Sequence, residues 1–432
     1  MIADLKTKKP SQWYSSLKRL SGFDQKSEKI IISEINQQSD QEQAESIASY
    51  FSSIPNEYEA LKTDDVKVPP FTQDQVLQFH PSQVWLKMTK MKTNKATVKG
   101  DLPAKLIKEF AAYLAEPFTH IINSSLKRGE YPKIYKYEVS TPVPKVFPPE
   151  KVEQMRNISG LLNFDKLMEK MISEVLIQDM KTNSDVSQYG NQTGTSIQHY
   201  LIKMLHRVVA ALDKNSRKEA FAVIANMIDW NSAFPRQCPR LGTESFIKNG
   251  VRPSLIPLLI NYFQDRKMSV SWHGCSSVPR SINGGGPQGA TLGILEYLSQ
   301  SNNNADCVSP EDRFKFIDDL TVLEIVNLLT IGISSFNIKS QVPSDILDNN
   351  QYIPPGNLKS QEYLKWMDVW TRNQKMKINS KKTKTMIFNF SKNHKFSTRL
   401  EFGGEILEIV NEAKLLGTTI TNDLKWDKNT ES

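Results

Sequence analysis

Hydrophobic positions in the middle of the chain predict short buried strands that alternate with helices. Phe221–Ile228 is an almost unbroken apolar run, which is typical of a central strand, and Asp229 follows it directly. The apolar positions of residues 314–317 and 320–323 predict two more strands, separated by Asp318 and Asp319. The pattern therefore places carboxylates at the ends of buried strands.

Helical spacing recurs around these strands. Residues 106–122 carry an apolar side chain every fourth position, which predicts a helix that Pro117 should break or kink. Three other segments show the same periodicity: Ala44, Ile47, Ala48, Phe51 and Ile54; Leu292, Leu295 and Leu298; and Tyr363, Trp366, Met367 and Trp370. We interpret the last group as a core-facing surface. The alternation predicts a mixed α/β or α+β fold rather than a helical bundle.

Composition narrows the class of protein. The 432 residues are 39% hydrophobic and 24% charged, which excludes disordered, collagen-like and coiled-coil chains and predicts two or three folded units. A net charge of +8 favours polyanionic partners such as nucleic acid. Residues 359–399 hold eleven Lys and Arg against two acids, and residues 87–108 hold seven lysines against Asp101. Each run could follow a phosphate backbone or form a solvated face.

The sequence also lacks the patterns that are typical of membrane-spanning, secreted and disulfide-rich proteins. The longest apolar stretches fall short of the roughly 18 residues that a membrane span needs, so we expect no membrane partner. The amino terminus lacks the apolar core of a secretory signal, and we expect an intracellular protein, with nucleus or cytoplasm left open. Cys238, Cys275 and Cys307 are too few and too far apart for a disulfide framework or a Cys-x-x-Cys zinc site.

The candidate chemistry lies in the carboxylates. Adjacent strands could bring Asp229 next to Asp318 and Asp319, where the negative charges would repel unless divalent cations neutralise them. Two such ions can activate a hydroxyl and stabilise a pyrophosphate leaving group. Mg²⁺ suits hard oxygen ligands combined with substrate phosphates. The simpler interpretation is that Asp318 and Asp319 only form a turn.

A glycine-rich loop separates these strands. Residues 284–289 read Gly-Gly-Gly-Pro-Gln-Gly, which allows the backbone to approach a ligand closely. A Walker-type phosphate loop is disfavoured, since Ala290-Thr291 follows instead of Gly-Lys-Ser/Thr.

Several ordered blocks resemble the motifs of reverse transcriptases. The main blocks are Arg156-Asn157-Ile158-Ser159, Asp229 with Ala233-Phe234, Gly286-Pro287-Gln288-Gly289 with Leu292-Gly293, and Phe316-Ile317-Asp318-Asp319. Residues 94–97, 102–104, 141–145, 370–388 and 414–417 add further blocks. From about residue 85 to 428 the chain resembles the polymerase of non-LTR retrotransposons of the jockey-like kind.

The resemblance implies an α+β right-hand polymerase. An antiparallel palm sheet would pack on helices beside a fingers region, with the thumb largely absent. The polar composition and helical spacing of the first residues predict a helical lead-in and linker over residues 1–84. After it, the resemblance implies a fingers region over 85–220, a reverse transcriptase domain over 126–404 and the start of a truncated thumb over 405–432.

It also implies roles for individual residues. Asp229 and Asp318 would hold two Mg²⁺ ions, with Asp319 as an accessory catalytic carboxylate. Phe234 would close on the sugar of the incoming nucleotide and exclude a 2′-hydroxyl, or else merely pack in the core.

The remaining roles concern the nucleotide. Gln288 and Gly289 would lie against the nascent base pair. Lys145 and Arg156 would contact the triphosphate, or be surface charges. Lys382 would protonate the leaving pyrophosphate, with phosphate steering or a solvated position as alternatives.

The blocks also depart from the family pattern. Asn157, Pro235, Ile294 and Phe316-Ile317 replace its usual residues, and Gly285-Gly286 stands where Gly-Val is usual. Ile317 stands in place of alanine beside the carboxylates, where its bulk could crowd the primer end. Both principal acidic ligands are retained.

The implied function is an RNA-directed DNA polymerase acting on an RNA template, a DNA primer and deoxynucleoside triphosphates, with unknown protein partners. The alternative is an inactive remnant that at most binds nucleic acid, because little thumb and no endonuclease unit are expected. An RNA-directed RNA polymerase is disfavoured by Phe234 and by the lack of a Gly-Asp-Asp turn.

Overall fold

The computed structural model describes residues 29–94, 97–98, 100–216, 219–331 and 351–430. Lys95, Ala96 and Lys99, which belong to the first basic run, lie outside these ranges. The helices are α1 Asp40–Ser53, α2 Pro81–Thr89, α3 Ala104–Glu109, α4 Ala111–Arg128, α5 Asn163–Met180, α6 Ile197–Leu212, α7 Pro239–Lys248, α8 Ile256–Phe263, α9 Thr291–Gln300, α10 Leu328–Ile331, α11 Lys359–Asn373 and α12 Asp427–Thr430.

Strands are distributed along the same length of chain, so the fold is mixed α+β. They are β1 Tyr137–Pro144, β2 Met155–Gly160, β3 Phe221–Ile228, β4 Arg266–Trp272, β5 Cys275–Ser276, β6 Arg280–Ile282, β7 Arg313–Phe316, β8 Asp319–Asn327, β9 Gln351–Tyr352, β10 Lys384–Phe388, β11 Phe396–Ser397, β12 Glu401–Phe402, β13 Glu405–Ile406, β14 Glu408–Ile409, β15 Glu412–Leu415 and β16 Thr418–Thr421. The strands expected around Asp229, Asp318 and Asp319 are confirmed.

The central sheet has the order β14-β10-β3-β8-β7. Strands β10, β3, β8 and β7 are antiparallel, and β14 joins β10 in parallel. Alternate residues of β3 bury on opposite faces, as a pleated strand requires. Ile224 packs toward α11, where the predicted core residues Tyr363, Met367 and Trp370 are buried, whereas Val223 packs toward α6.

A second sheet has the order β2-β1-β4-β5, with β6 also paired to β4. Helix α1 covers one face of this sheet through the predicted apolar positions Ala44, Ile47, Ala48 and Phe51. A buried hydrogen bond anchors the helix, since the Trp272 Nε1–H donates to Gln43 Oε1 over 2.9 Å. The amino-terminal helix is therefore part of the packing of this sheet.

Helices α2, α4, α5, α8 and α9 contribute to one apolar cluster. The helix predicted over residues 106–122 is divided at Phe110 into α3 and α4, and the break predicted at Pro117 is wrong, because Pro117 lies inside α4. Proline interrupts the hydrogen bond to the carbonyl four residues earlier. That residue, Tyr113, is 79% exposed, so water can solvate the carbonyl and the helix continues. Across the described ranges, the helices are too short or too polar to cross a bilayer.

Candidate active site

Three aspartates lie at one end of the central sheet. The β3–β8 register pairs Ile228 with Leu320, so Asp229 and Asp319 are the next facing positions. Asp318 lies in the two-residue turn between β7 and β8, beside Asp319. The strand register, rather than any local motif, thus brings together residues that are far apart in sequence.

Burial raises the pKa values of all three aspartates. Burial, followed by the charges of Asp318 and Asp229, raises the pKa of Asp319 to about 6. Burial likewise raises the pKa of Asp229, with a further contribution from Asp318. Asp318 is exposed at its turn, but surrounding protein still desolvates it and raises its pKa. The cluster disfavours three simultaneous negative charges.

Cations face these carboxylates from two directions. Lys382 lowers the pKa of Asp229, opposing the larger effect of burial, and Arg156 does the same for Asp318. Burial lowers the pKa of Lys145, and the charges of Lys382 and Arg156 lower it further. Lys382 and Arg156 are therefore both close enough to Lys145 to repel it. Such a group can bind an anion with several charged oxygens.

Two structural connections position the cations. Arg156 on β2 pairs with Val143 on β1, and Lys145 follows β1, with its Nζ donating to the carbonyl of Glu153 over 2.9 Å. The Asn379 N–H donates to the carbonyl of Asp229 over 2.8 Å. Lys382 N–H donates in turn to the Asn379 carbonyl, which fixes the Lys382 backbone beside Asp229.

The glycine loop connects the two sheets. Ser159 on β2 donates its N–H to the carbonyl of Gln288 over 2.9 Å, three residues from Arg156. Gly289 is exposed beside Ser159 with a φ of +120°, a conformation that favours glycine. At Gly286 a Cβ would lie 2.7 Å from the Cα of Gly293, so that glycine permits close packing of the protein on itself.

Phe234 is half-buried near the carboxylate end of β3. Its ring contacts that of Tyr297, with centroids 5.2 Å apart and an angle of 37° between the planes. It also packs against the apolar cluster around α11. Part of the ring therefore contributes to the core, while the side chain retains an exposed portion.

Gln237 is a structural residue that the sequence analysis missed. Its Oε1 accepts from Gly286 N–H over 2.9 Å, and its Nε2 donates to the Gly293 carbonyl over 2.8 Å. The buried carboxamide thus ties the Phe234 segment to the glycine loop. One indication of this role was present in the sequence, because Gln237 is the single amide side chain in residues 234–239, Phe-Pro-Arg-Gln-Cys-Pro.

The donor set at the carboxylates suits a hard cation. Carboxylate oxygens with raised pKa values gain a favourable partner when Mg²⁺ replaces their protons. Among the described residues, however, no three His, Cys, Asp or Glu side chains are gathered as a ready-made metal site. Two protein carboxylates supplemented by substrate phosphates and water would be sufficient ligands for Mg²⁺.

Curated relatives of this chain are transposon polymerases of Drosophila. It is 27% identical over 336 residues to the probable RNA-directed DNA polymerase from transposon BS of Drosophila melanogaster, covering 77% of this chain and 33% of that protein. It is 24% identical to the probable RNA-directed DNA polymerase from transposon X-element of Drosophila melanogaster, covering 60% of this chain and 29% of the relative. It is 27% identical to the RNA-directed DNA polymerase from mobile element jockey of Drosophila funebris, covering 55% of this chain and 26% of that relative.

The chain spans about a third of the length of the curated relatives it matches. No protein-family model matches it. Apo telomerase from Candida tropicalis aligns with a TM-score of 0.42 at 12% identity, covering 74% of this chain and 54% of that one. A form of the same telomerase truncated from its C-terminal domain gives the same score and identity, with 77% and 62% covered.

Proposed function

We propose, from its homology to the RNA-directed DNA polymerases of jockey-like non-LTR retrotransposons, that this chain transfers deoxynucleotides onto a primer 3′-hydroxyl under the direction of an RNA template. The observation that carries the proposal is the β3–β8 register, which places Asp229 opposite Asp319 and beside Asp318. The apposed cations Lys382 and Arg156 supply the complementary charge that a triphosphate needs.

In this proposal Asp229 and Asp318 hold two Mg²⁺ ions, and Asp319 is an accessory carboxylate. When bound, the ions lower the pKa of the primer hydroxyl and neutralise charge on the leaving pyrophosphate. Asp229 and Asp318 fix the position of that chemistry because both are attached to adjacent strands of one rigid sheet. Asp319 adjusts the local charge through its elevated pKa.

The nucleotide would bind between the two sheets. Arg156 and Lys145 contact the triphosphate, for which a guanidinium provides paired donors. Gln288 and Gly289 lie against the nascent base pair, since their loop is hydrogen-bonded to the strand that carries Arg156. The exposed part of Phe234 excludes a 2′-hydroxyl, and Lys382 donates a proton to pyrophosphate.

We assign the β2-β1-β4-β5 sheet to polymerase fingers and the central sheet to the palm. This assignment follows from the cations on the first sheet and the carboxylates on the second. Residues 85–220 then include the fingers strands β1 and β2, residues 126–404 form the reverse transcriptase domain, and residues 405–432 begin the thumb. Residues 1–84 include helix α1, which supports the fingers sheet.

Primer extension tests the proposal. Purified protein is incubated with an RNA-templated DNA primer, Mg²⁺ and deoxynucleotides, beside the Asp318→Ala variant. The matched control is Asp213→Ala, which removes an exposed carboxylate just after α6. We expect extension by the wild type and by the control, and none by Asp318→Ala.

Failure of the wild type to extend would contradict the proposal. If it instead binds the same duplex tightly and in a salt-sensitive manner, the chain is a nucleic-acid-binding remnant. Equal extension by Asp318→Ala and wild type would support polymerase activity but contradict the role of Asp318 as a metal ligand. Faster use of ribonucleotides than deoxynucleotides would indicate an RNA polymerase.

A further inference from the structure

The turn that carries Asp318 has a conformation that its own sequence disfavours. Ile317 and Asp318 are the two central residues of the β7–β8 hairpin, and Ile317 has a φ of +57°. Only the first central residue has positive φ, the pattern of a type II′ turn, where glycine is usual. A β-branched residue at positive φ is strained. The turn therefore needs support from outside the hairpin.

Residues 185–190 provide that support by running beside β7. The Lys315 N–H donates to the Ser187 carbonyl over 2.9 Å, and the Tyr189 N–H donates to the Lys315 carbonyl over 2.8 Å. This pairing brings Gln188 next to Lys315 in parallel register. We call residues 185–190 the clasp.

The clasp is fixed at its base by buried charges. Lys315 Nζ lies 2.5 Å from Asp185 Oδ2, and both side chains are only 3% exposed. Arg313 Nη2 donates to the other carboxylate oxygen of Asp185 over 3.0 Å. Breaking a buried pair of this kind is unfavourable, so the clasp and β7 remain in fixed register.

Gln188 reaches the strained residue directly. Its Oε1 accepts from the N–H of Ile317 over 2.9 Å and from the N–H of Gly190 over 2.8 Å. Gly190 allows the close approach, because a Cβ at that position would lie 2.5 Å from the Ile317 nitrogen. One carboxamide oxygen thus joins the clasp to the residue immediately before Asp318.

We propose that Gln188 is a positioning residue that holds the Ile317 turn, and with it Asp318, in the orientation the reaction requires. The proposal rests on the proposed function for its catalytic consequence, but the structural link can be measured without activity. Gln188 acts through its hydrogen bond to the Ile317 backbone. Its acceptor oxygen, rather than its size, is the property that matters.

The variant Gln188→Met tests this property, because it keeps the side-chain length and removes the acceptor. Gln188 also borders a cavity of about 640 Å³, so methionine can be accommodated without displacing the fold. The matched control is Gln192→Met, two residues beyond the clasp and on the lining of the same cavity, where the backbone oxygen of Gln192 accepts from Thr195. Gly190→Ala is a second variant, because its added Cβ would collide with the Ile317 nitrogen and displace the same turn.

Three measurements follow for each variant: hydrogen exchange at the residue 317 amide, Mn²⁺ affinity, and kcat and KM for deoxynucleotide. In Gln188→Met we expect exchange to be roughly tenfold faster and Mn²⁺ affinity and kcat to be roughly tenfold lower, with little change in KM. Gln192→Met should resemble the wild type. Adding Ile317→Gly to Gln188→Met should restore much of kcat, because glycine adopts positive φ without help.

These outcomes separate the inference from the proposed function. If the wild type extends no primer but exchange and Mn²⁺ affinity still respond to Gln188→Met alone, the function fails and the positioning role stands. Unchanged exchange at residue 317 in Gln188→Met overturns the positioning role, whatever the activity. The positioning role is also overturned if kcat falls in Gln188→Met and the added Ile317→Gly does not restore it. That result would mean that Gln188 only stabilises the overall fold.

Discussion

Asp229, which directly follows β3, and Asp319, the first residue of β8, occupy the facing positions one residue beyond the Ile228–Leu320 pair. Like charges directly opposite each other on antiparallel strands are destabilising. Protonation of Asp319, whose pKa rises to about 6, relieves this repulsion, as would a bound cation. Cation binding at the proposed site would therefore displace protons, and the properties of the site should depend on pH.

In metal-free protein, Asp319→Asn should stabilise the fold above about pH 6. Burial and two neighbouring carboxylates raise the pKa of Asp319 from 3.8 to about 6, so the folded chain binds more protons than the unfolded chain between these values. The free energy of unfolding therefore falls as pH rises through that window. Urea unfolding with a chelator should show a shallower fall in the variant, whereas superimposable pH profiles would contradict the assignment.

Glu296 should set a second pH dependence at higher pH. It is fully buried on α9 without a hydrogen-bond partner for either oxygen, and burial raises its pKa to about 8. Because this pKa exceeds the ordinary glutamate value of 4.5, its stabilising contribution is present at low pH and is lost as pH rises through about 8.

The Glu296→Gln variant removes this titration. We expect it to unfold at higher urea concentration than wild type at pH 9, with a smaller difference at pH 6. The control is Glu311→Gln, which makes the same change at an exposed position. Gln300 on the same helix is buried, so a substitution there would not be a neutral control. A constant difference at all pH values would mean that Glu296 does not titrate in this range.

Phe234→Ala should relax the choice of sugar. If the exposed part of Phe234 excludes the 2′-hydroxyl, its removal should raise the kcat/KM ratio of ribonucleotide to deoxynucleotide by roughly tenfold or more. Steady-state incorporation of matched ribo- and deoxynucleotides measures this ratio. Tyr297→Leu, which alters the packing partner of Phe234, is the control. An unchanged ratio with lowered stability would mean that Phe234 only packs in the core.

Lys382→Ala should slow the chemical step. A general acid contributes typically 10²–10⁴-fold, so we expect kcat to fall by roughly a hundredfold. The adjacent Lys381→Ala is the matched control, because Lys381 is also exposed but its known contact is through the backbone carbonyl. A higher KM with unchanged kcat would instead indicate that Lys382 steers phosphate.

The sequence alone determined the local elements. The unbroken apolar run before Asp229, the alternation around Asp318 and Asp319, and the helical face of Tyr363, Met367 and Trp370 are all present in the structure. These predictions succeed because burial on one or two faces imposes a period that local sequence records. The ordered motifs also identified the relatives that sequence comparison finds.

Only the tertiary structure decided how these elements meet. The facing of Asp229 and Asp319 depends on strand register, and the proximity of Arg156 to Asp318 depends on two sheets joined through the Gln288 loop. The contacts of Gln237 and of Gln188 link residues whose partners lie 49 and 129 positions away. Local periodicity reports which face of an element is buried, but it carries no information about which distant side chain will be buried against it.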